Sequence, residues 1–418
     1  MLPLANRNSK VRMSRVYRIH LFLCLVMCLP LSVNSQSSQI ERGAEEFKTR
    51  WVIPFLSNGS WGRGPHSNGE SCVDCHRAGA NLMEIKSPTK QIYPFVLKIR
   101  DLSGQTGHPI YGNELSRFGI AGKLFPEGTF EVHWKTAFQF NLKYPSPVIK
   151  ALHFGPLHSD TRTSIRLGRD LTGIGLIDAI DEKQIKRMLS EQNALGLNGR
   201  INYVQDPISK RNVIGRFGYK ASSPNLIDQI SKAFRDELGV TSVFYPNNPC
   251  SARASTCENL NNLGGLEVSA AKIDEIAEFL KVIPTKSFRN NTYPDINGLG
   301  LFTDLGCDSC HRANLLATPN NSSQTFKLYT DLLLHDMGDG LADGLQEFEA
   351  RPQDWRTAPL IGIGTHLRSG GSLLHDGRAQ SIREAILWHD GEAQPSRDKY
   401  LKLEASQKLL LEYFIEQL

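Results

Sequence analysis

The residues best suited to chemistry lie in two copies of one short pattern, CxxCH. The copies are Cys72, Cys75 and His76, and Cys307, Cys310 and His311. Two thiols at this spacing can reach both vinyl groups of one haem, and the adjacent histidine can then bind the iron. A zinc site needs four ligands and each copy offers three, although the two pairs could combine in one site. The patterns therefore predict two covalently attached haems, with His76 and His311 as iron ligands.

The group on the opposite side of each iron decides what the haem can do. A strong side-chain ligand there leaves only electron transfer, whereas an open position lets peroxide bind. Spacing alone does not choose between the candidates, because a single histidine is more often structural than a ligand. The candidates are Met83, His108, His133, His153 and His158 for the first haem, and His335, Met337, His366, His375 and His389 for the second.

The first 35 residues have the features of a secretory signal peptide. Five basic residues and no acidic one precede the apolar stretch Leu21–Val33, and small or neutral residues lead to a cleavage site before Gln36. The apolar stretch is too short to span a bilayer as a helix, although a retained anchor is the alternative. No later stretch is long and apolar enough to span one, so the sequence predicts a periplasmic mature chain without a membrane span.

Cleavage at this site would also remove the net charge. The chain carries a formal charge of +5, and residues 1–35 account for all of it. No basic stripe remains that could follow a phosphate backbone, so the sequence does not predict a nucleic-acid partner.

Two cysteines of the predicted mature chain lie outside the CxxCH patterns. Cys250 and Cys257 flank a short polar loop. In an oxidising compartment such a pair predicts a disulfide that closes the loop. A redox-active pair is the alternative, but such cysteines normally lie two residues apart at the start of a helix.

The elements around the patterns predict a mainly α fold of two cytochrome c-like haem domains. We place these domains at residues 36–290 and 291–418, with the N-terminal one enlarged by insertions that contain some β structure. Val268–Val282 has the apolar stripe and the N-cap serine of an amphipathic helix. Helices are also predicted at Ile296–Leu305, just before the second CxxCH, and at Lys399–Gln417.

A weak internal repeat supports two related haem modules. Arg169–Gly175 (RDLTGIG) follows the first CxxCH, and Arg356–Gly364 (RTAPLIGIG) follows the second. Both segments contain an arginine, a leucine and then Gly-x-Gly.

Four longer segments resemble a known family. They are GRFGYKA at Gly215–Ala221, LLLHDMGDGLADG at Leu332–Gly344, WRTAPLIGIG at Trp355–Gly364 and LLHDGRAQSIREAILWHDGEA at Leu373–Ala393. These segments resemble the bacterial di-haem oxidoreductases, which are also called thiol oxidoreductases. More distantly, they are similar to the di-haem cytochrome c peroxidases. The resemblance covers most of the predicted mature chain.

The resemblance implies a sixth ligand for the second haem. In the peroxidase relatives, the segment that matches HDGRAQSIREAILWH leads to this ligand, and the matching position here is His389. The alternative is a histidine at a helix end that bonds a backbone carbonyl.

The resemblance also implies residues around the haems. His375 would lie close to the second haem without binding its iron, and with Asp376 and Arg378 it could support a propionate or the path between the haems. Arg356 could do the same, because its guanidinium fits a carboxylate. Tyr219 stands where the family usually has tryptophan, and it is either an electron relay or part of the core.

An Asp- and Gly-rich loop offers a calcium alternative. Peroxidase relatives hold calcium between domains, but Asp336, Asp339 and Asp343 do not have the spacing of an EF-hand loop. A turn with satisfied hydrogen bonds is the preferred interpretation.

The function implied by the resemblance is a peroxidase-like oxidoreductase. The N-terminal haem would be reactive and the C-terminal haem would relay electrons, with a redox protein or a small oxidant or reductant as partner. The N-terminal part lacks the WDGR-type segment of the peroxidases, so no acid–base residue can be named. The alternative is a non-enzymatic electron-transfer protein with two six-coordinate haems. A thiol oxidoreductase would need a dithiol site, which the sequence does not offer.

Overall fold

A computed structural model describes most of the chain. The described residues are 29–52, 60–76, 94–101, 103, 107–120, 124–247, 250, 253, 266–283, 296–318 and 325–418. Met83, Cys257 and most of the predicted signal peptide lie outside them, as does the predicted domain boundary at 290–291. The two domains therefore stay a prediction.

The described helices lie mainly in the second half of the chain. In order they are α1 (Leu29–Lys48), α2 (Ile174–Asp178), α3 (Glu182–Ala194), α4 (Leu226–Leu238), α5 (Ala270–Val282), α6 (Ile296–Asp304), α7 (Ile363–Arg368), α8 (Ile382–Leu387), α9 (Gln394–Leu401) and α10 (Ala405–Glu416). Helix α5 begins as predicted, with the Ser269 side chain accepting a hydrogen bond from the Lys272 amide. The single helix expected near the C terminus is instead two, α9 and α10.

The described strands pair two by two. They are β1 (Trp51–Val52), β2 (Ser60–Trp61), β3 (Phe95–Arg100), β4 (Thr129–Thr136), β5 (Lys143–Lys150), β6 (Arg162–Leu167), β7 (Tyr203–Gln205), β8 (Asn212–Ile214), β9 (Leu316–Ala317), β10 (Phe326–Lys327), β11 (Leu334–Asp336) and β12 (Asp354–Arg356). Strands β1 and β2 are parallel, and the pairs β3–β6, β4–β5, β7–β8, β9–β10 and β11–β12 are antiparallel.

The expectation of a mainly α fold is wrong. The structure is 34% helical and 20% strand, and two cytochrome c domains are not shown. Strand structure is not confined to an insertion in the N-terminal half, because β9–β12 follow the second CxxCH. The strand content was underestimated from the sequence because most of these strands are too short to show an alternating pattern.

The internal repeat corresponds to a repeated packing arrangement. Helices α2 and α7 each begin just after the first glycine of a Gly-Ile-Gly segment. The second glycine of each segment, Gly175 or Gly364, lies against the end of a later helix. A Cβ atom on Gly175 would overlap Lys281 of α5, and one on Gly364 would overlap Glu416 of α10. Both pairs of helices therefore need glycine at the contact.

The two repeats border different hydrophobic cores. The larger core contains Phe47 of α1, Phe234 of α4 and Leu280 of α5, and Cys72 packs against it. A second core contains Phe302 of α6 and Phe414 of α10, and Cys307 packs against that one. Each CxxCH turn is thus supported by its own set of helices.

Candidate functional site

Each CxxCH pattern forms one tight turn. Cys72–Asp74 and Cys307–Ser309 are short 3₁₀ helices. In each, the histidine amide donates a hydrogen bond to the carbonyl of the first cysteine, at 2.9 Å for His76 and 3.0 Å for His311. The four cysteines are free and half-buried. Two thiols and an imidazole on one turn have the arrangement that haem attachment needs.

The thiols do not resemble those of a thioredoxin-type site. Burial raises the pKa of Cys72 and Cys75 to about 12. A reactive dithiol needs a lowered pKa, which neither cysteine has.

The two imidazoles are held in the orientation of a metal ligand. Nδ1 of His76 donates to the Arg169 carbonyl at 2.9 Å, and Nδ1 of His311 donates to the Tyr329 carbonyl at 3.1 Å. This bond places the proton on Nδ1 and leaves the Nε2 lone pair for a metal. Burial lowers the pKa of both histidines, which keeps the rings neutral.

His389 lies opposite His311. The ring centres are 6.5 Å apart, with 43° between the ring planes. Two imidazole nitrogens that each bind one metal at about 2.0 Å would separate the ring centres by roughly 6.4 Å. Nδ1 of His389 donates to the Ala385 carbonyl at 2.7 Å, so its Nε2 is also left for a metal. The residues fit one iron between the rings, and the ligand assignment stays a prediction.

The other candidates for the second haem are engaged elsewhere. Both ring nitrogens of His335 contact carboxylates, Asp331 at 2.9 Å and Glu392 at 3.0 Å, which raises its pKa. His366 bonds the Ser372 carbonyl through Nε2 at 3.0 Å. Met337 packs in a cluster with Trp355 and Trp388. Cys310, Asp331 and His335 lie close enough to hold a metal ion, but Cys310 belongs to the predicted haem attachment.

The described candidates for the first haem also have other partners. Nδ1 of His108 accepts hydrogen bonds from the amides of Ile110 and Tyr111. His133 and His158 are exposed and lie beside acidic neighbours. His153 stacks on Phe125 with ring centres 5.0 Å apart.

An aromatic cluster lies beside the first haem turn. His375 stacks on Trp355 at 3.9 Å, and Tyr219 approaches the same imidazole edge-on at 6.4 Å. The Tyr219 hydroxyl donates to the Leu167 carbonyl, and the Leu167 amide donates to the His375 carbonyl. Leu167 is two residues before Arg169, which orients His76. Tyr219 therefore packs in the core and contacts the segment whose Arg169 carbonyl orients His76, and its role stays a prediction.

The two predicted propionate arginines differ in their partners. Arg378 already has a carboxylate, because Nε and Nη2 donate to Asp376 at 2.9 and 2.7 Å. Arg356 is 6% exposed, and among the described residues its guanidinium donates to the carbonyls of Gly218 and Thr357. Arg169, which our sequence interpretation did not single out as a site residue, lies over the Tyr219 ring at 5.3 Å. Its place at the start of the repeated segment could have identified it.

The Asp- and Gly-rich loop is bound by basic side chains. Asp343 contacts Arg166 at 2.6 Å and Lys220 at 3.0 Å, and Asp336 contacts Arg351 at 3.3 Å. These contacts give both carboxylates a basic partner, and calcium is not shown.

For two further predictions, the structure describes only part of the residues concerned. Cys250 belongs to the described residues but Cys257 does not, so their disulfide stays a prediction. None of the helices in the described ranges is both long and apolar enough to cross a bilayer.

These features define a class of protein with two CxxCH turns, one of them close to a second histidine. Comparison with known families agrees. Residues 135–418 match the family model described as "Di-haem oxidoreductase, putative peroxidase". This match covers more than half of the chain, so the chain belongs to the di-haem oxidoreductase family. Searches of curated proteins and of solved structures found no match.

Proposed function

We propose that the chain is an exported c-type di-haem enzyme that reduces peroxide. The haem at His76 is the reactive centre, and the haem at His311 relays electrons to it. The observation that carries this proposal is the imidazole pair of His311 and His389, with ring centres 6.5 Å apart. A haem with both axial positions filled transfers electrons but does not bind peroxide. His76 has no such partner among the described candidates.

The protein residues hold and orient the reacting groups. When bound, the two haems would supply one iron that binds peroxide and one that exchanges single electrons. The Nδ1 hydrogen bonds fix the rings of His76, His311 and His389. Each bond ends on a backbone carbonyl, so the surrounding helices and loops determine the ring orientation. This gives each imidazole a fixed direction before any metal is bound.

The aromatic cluster supports a path for electrons. Trp355, His375 and Tyr219 are in ring contact, and Tyr219 bonds the segment that leads to Arg169. Under this proposal the donor is a redox protein or a small reductant in the periplasm.

Optical and electron paramagnetic resonance spectra of the ferric protein test the proposal. We expect one low-spin haem and one high-spin haem, and only the high-spin haem should respond to peroxide. His389→Gly should convert the low-spin haem to high-spin, because it removes one iron ligand. His158→Gly is the matched control and should leave both signals unchanged, since the His158 side chain is exposed and lies beside Asp160.

Two low-spin haems that ignore peroxide would favour the alternative, a non-enzymatic electron-transfer protein. An unchanged spectrum in His389→Gly would contradict the ligand assignment.

A further inference from the structure

Several basic side chains are buried in the protein. Most of them have a carboxylate partner of their own. Arg166 contacts Asp343 and Glu347 at 2.6 and 3.0 Å, Lys220 contacts Asp343 at 3.0 Å, Arg378 contacts Asp376 at 2.7 Å, and Arg397 contacts Asp390 at 3.3 Å. Such pairing is expected, because a buried charge without a partner is costly.

Arg356 is an exception. Its residue is only 6% exposed, yet its guanidinium donates to two carbonyl oxygens, those of Gly218 at 3.0 Å and Thr357 at 3.2 Å. Among the described residues no carboxylate contacts it, and its second terminal nitrogen, Nη2, has no hydrogen bond. Burial lowers the pKa of Arg356 to about 9, and the nearby charge of Arg169 lowers it further. A buried guanidinium in this environment needs an anion.

Arg169 is half-buried and also lacks a carboxylate contact among the described residues. Within the described part of the chain, its guanidinium contacts the face of Tyr219 at 5.3 Å and no carboxylate. Arg356 contacts the backbone of the same segment. Its amide donates to the Tyr219 carbonyl at 3.0 Å, and its Nε donates to the Gly218 carbonyl. Two basic groups thus contact one short segment without an acidic partner in the described ranges, and they repel each other.

Each arginine is also tied to a different haem turn. The Arg169 carbonyl accepts the Nδ1 hydrogen bond of His76. The Thr357 carbonyl, beside Arg356, accepts a hydrogen bond from the Thr330 hydroxyl at 2.7 Å, and the adjacent Tyr329 carbonyl orients His311. The two arginines also begin the repeated segments of the sequence. Each arginine is therefore linked to one CxxCH turn, Arg169 through its own carbonyl and Arg356 through the neighbouring Thr357 and Thr330.

We propose that Arg169 and Arg356 together form a binding site for haem propionates, with Arg169 serving the haem at His76 and Arg356 the haem at His311. A guanidinium binds a carboxylate through two parallel hydrogen bonds, which suits a propionate. Propionates at this place would neutralise both arginines and bring the carboxylate edges of the two haems to the Tyr219 segment. The proposal rests on haem attachment at both turns.

Redox titration of the holoprotein tests the site. Intact mass first establishes that both haems are attached in each variant. Arg356→Gln should shift the reduction equilibrium of the haem at His311 towards the ferric state by three- to tenfold, which corresponds to about 28 to 59 mV for a one-electron couple. The shift has this sign because removing a positive charge favours the more positive iron. Arg169→Gln should shift mainly the other haem.

Three comparisons make the result specific. Arg356→Lys keeps the charge and should shift the potential less than Arg356→Gln. The surface variant Arg383→Gln, which removes a charge paired with Glu412, should leave both potentials unchanged. Resonance Raman bands of the propionates should move in the Arg169 and Arg356 variants only.

Unchanged potentials and Raman bands in Arg169→Gln and Arg356→Gln would overturn the proposal, as would equal shifts in Arg356→Lys and Arg356→Gln, which would indicate a packing effect. If the unmodified protein carries no haem, haem attachment itself is contradicted, which is a separate failure.

Discussion

Three histidines at the candidate haem sites share one hydrogen-bond arrangement. In His76, His311 and His389, Nδ1 donates to a backbone carbonyl at 2.7 to 3.1 Å. The other ring nitrogen of each is thereby prepared for a metal. The acceptors are main-chain atoms, so side-chain changes at Arg169, Tyr329 or Ala385 would leave the bonds in place.

A different buried pair contributes to how stability depends on pH. Glu127 and His66 are 1% and 3% exposed, and Oε1 of Glu127 lies 3.7 Å from Nδ1 of His66. Burial raises the pKa of Glu127 from 4.5 to about 8 and lowers the pKa of His66 from 6.5 to about 4. Both side chains are therefore neutral at pH 6.5 in the folded protein.

We predict that the free energy of unfolding decreases between pH 6.5 and 8. Unfolded Glu127 has already lost its proton in this range, whereas the folded residue keeps it up to about pH 8. The folded state thus binds more protons, which lowers its stability by at most about 1.4 kcal/mol per pH unit. Below pH 6.5 the opposite shift of His66 offsets this effect.

Glu127→Gln should remove the part of this decrease that Glu127 contributes, because the amide resembles the protonated acid and cannot ionise. Chemical unfolding of the holoprotein at pH 6.5 and 8 measures it, with exposed Glu131→Gln as the control. The same decrease in Glu127→Gln as in the unmodified chain would refute the assignment.

At the scale of residues, part of the candidate site could be predicted from the sequence. The CxxCH spacing identified six residues directly, because the chemistry of attachment requires that spacing. The position of His389 came from the family resemblance, and its orientation towards His311 depends on how α8 packs. The lack of a carboxylate partner for Arg356 could not be predicted, since it depends on which acidic residues are used elsewhere.

At the scale of elements, two short helices begin after Gly173 and Gly362 and place a second glycine against a longer helix. The space for a side chain is absent at Gly175 and Gly364, where a Cβ would overlap Lys281 and Glu416. We predict that Gly175→Ala and Gly364→Ala each destabilise the holoprotein by about 1–3 kcal/mol, as expected for overpacking. Thermal or denaturant unfolding measures the change.

Gly300 provides a matched control in helix α6. Apart from its chain neighbours and its own helix backbone, no atom of the described residues lies within 4 Å of a Cβ built there. Gly300→Ala should therefore stabilise the protein by about 0.5–1 kcal/mol, because alanine loses less backbone entropy in a helix. Equal effects of Gly175→Ala, Gly364→Ala and Gly300→Ala would show that the close contacts are not required.

Helices were more predictable than strands for a physical reason. The apolar stripe of α5 repeats over several turns, so its pattern is visible in the sequence. Strand β3 pairs with β6, far along the chain, and β9 and β10 have two residues each. Such pairings depend on tertiary contacts that no local pattern records. This is why the expectation of a mainly α fold was wrong.

At the scale of the whole molecule, the two haem turns pack against separate hydrophobic cores. Cys72 borders the core around Phe234, and Cys307 borders the core around Phe414. Each turn also contains its own pair of thiols and its own histidine. Attachment at one turn should therefore not require attachment at the other.

We predict that the exported protein carries two covalent haems that can be removed one at a time. Replacing Cys72 and Cys75 by serine should lower the haem content from two to one, and so should replacing Cys307 and Cys310. The reason is that thioether bonds need these sulfurs, while the other turn keeps its supporting core.

Cys250→Ser is the control and should keep both haems. Intact mass after expression in a host that attaches haem, together with pyridine haemochrome absorbance, gives the count. The same mass reports whether the chain starts at Gln36. A colourless protein with the mass of the bare chain would contradict haem attachment, and the loss of both haems on changing one turn would contradict independent attachment.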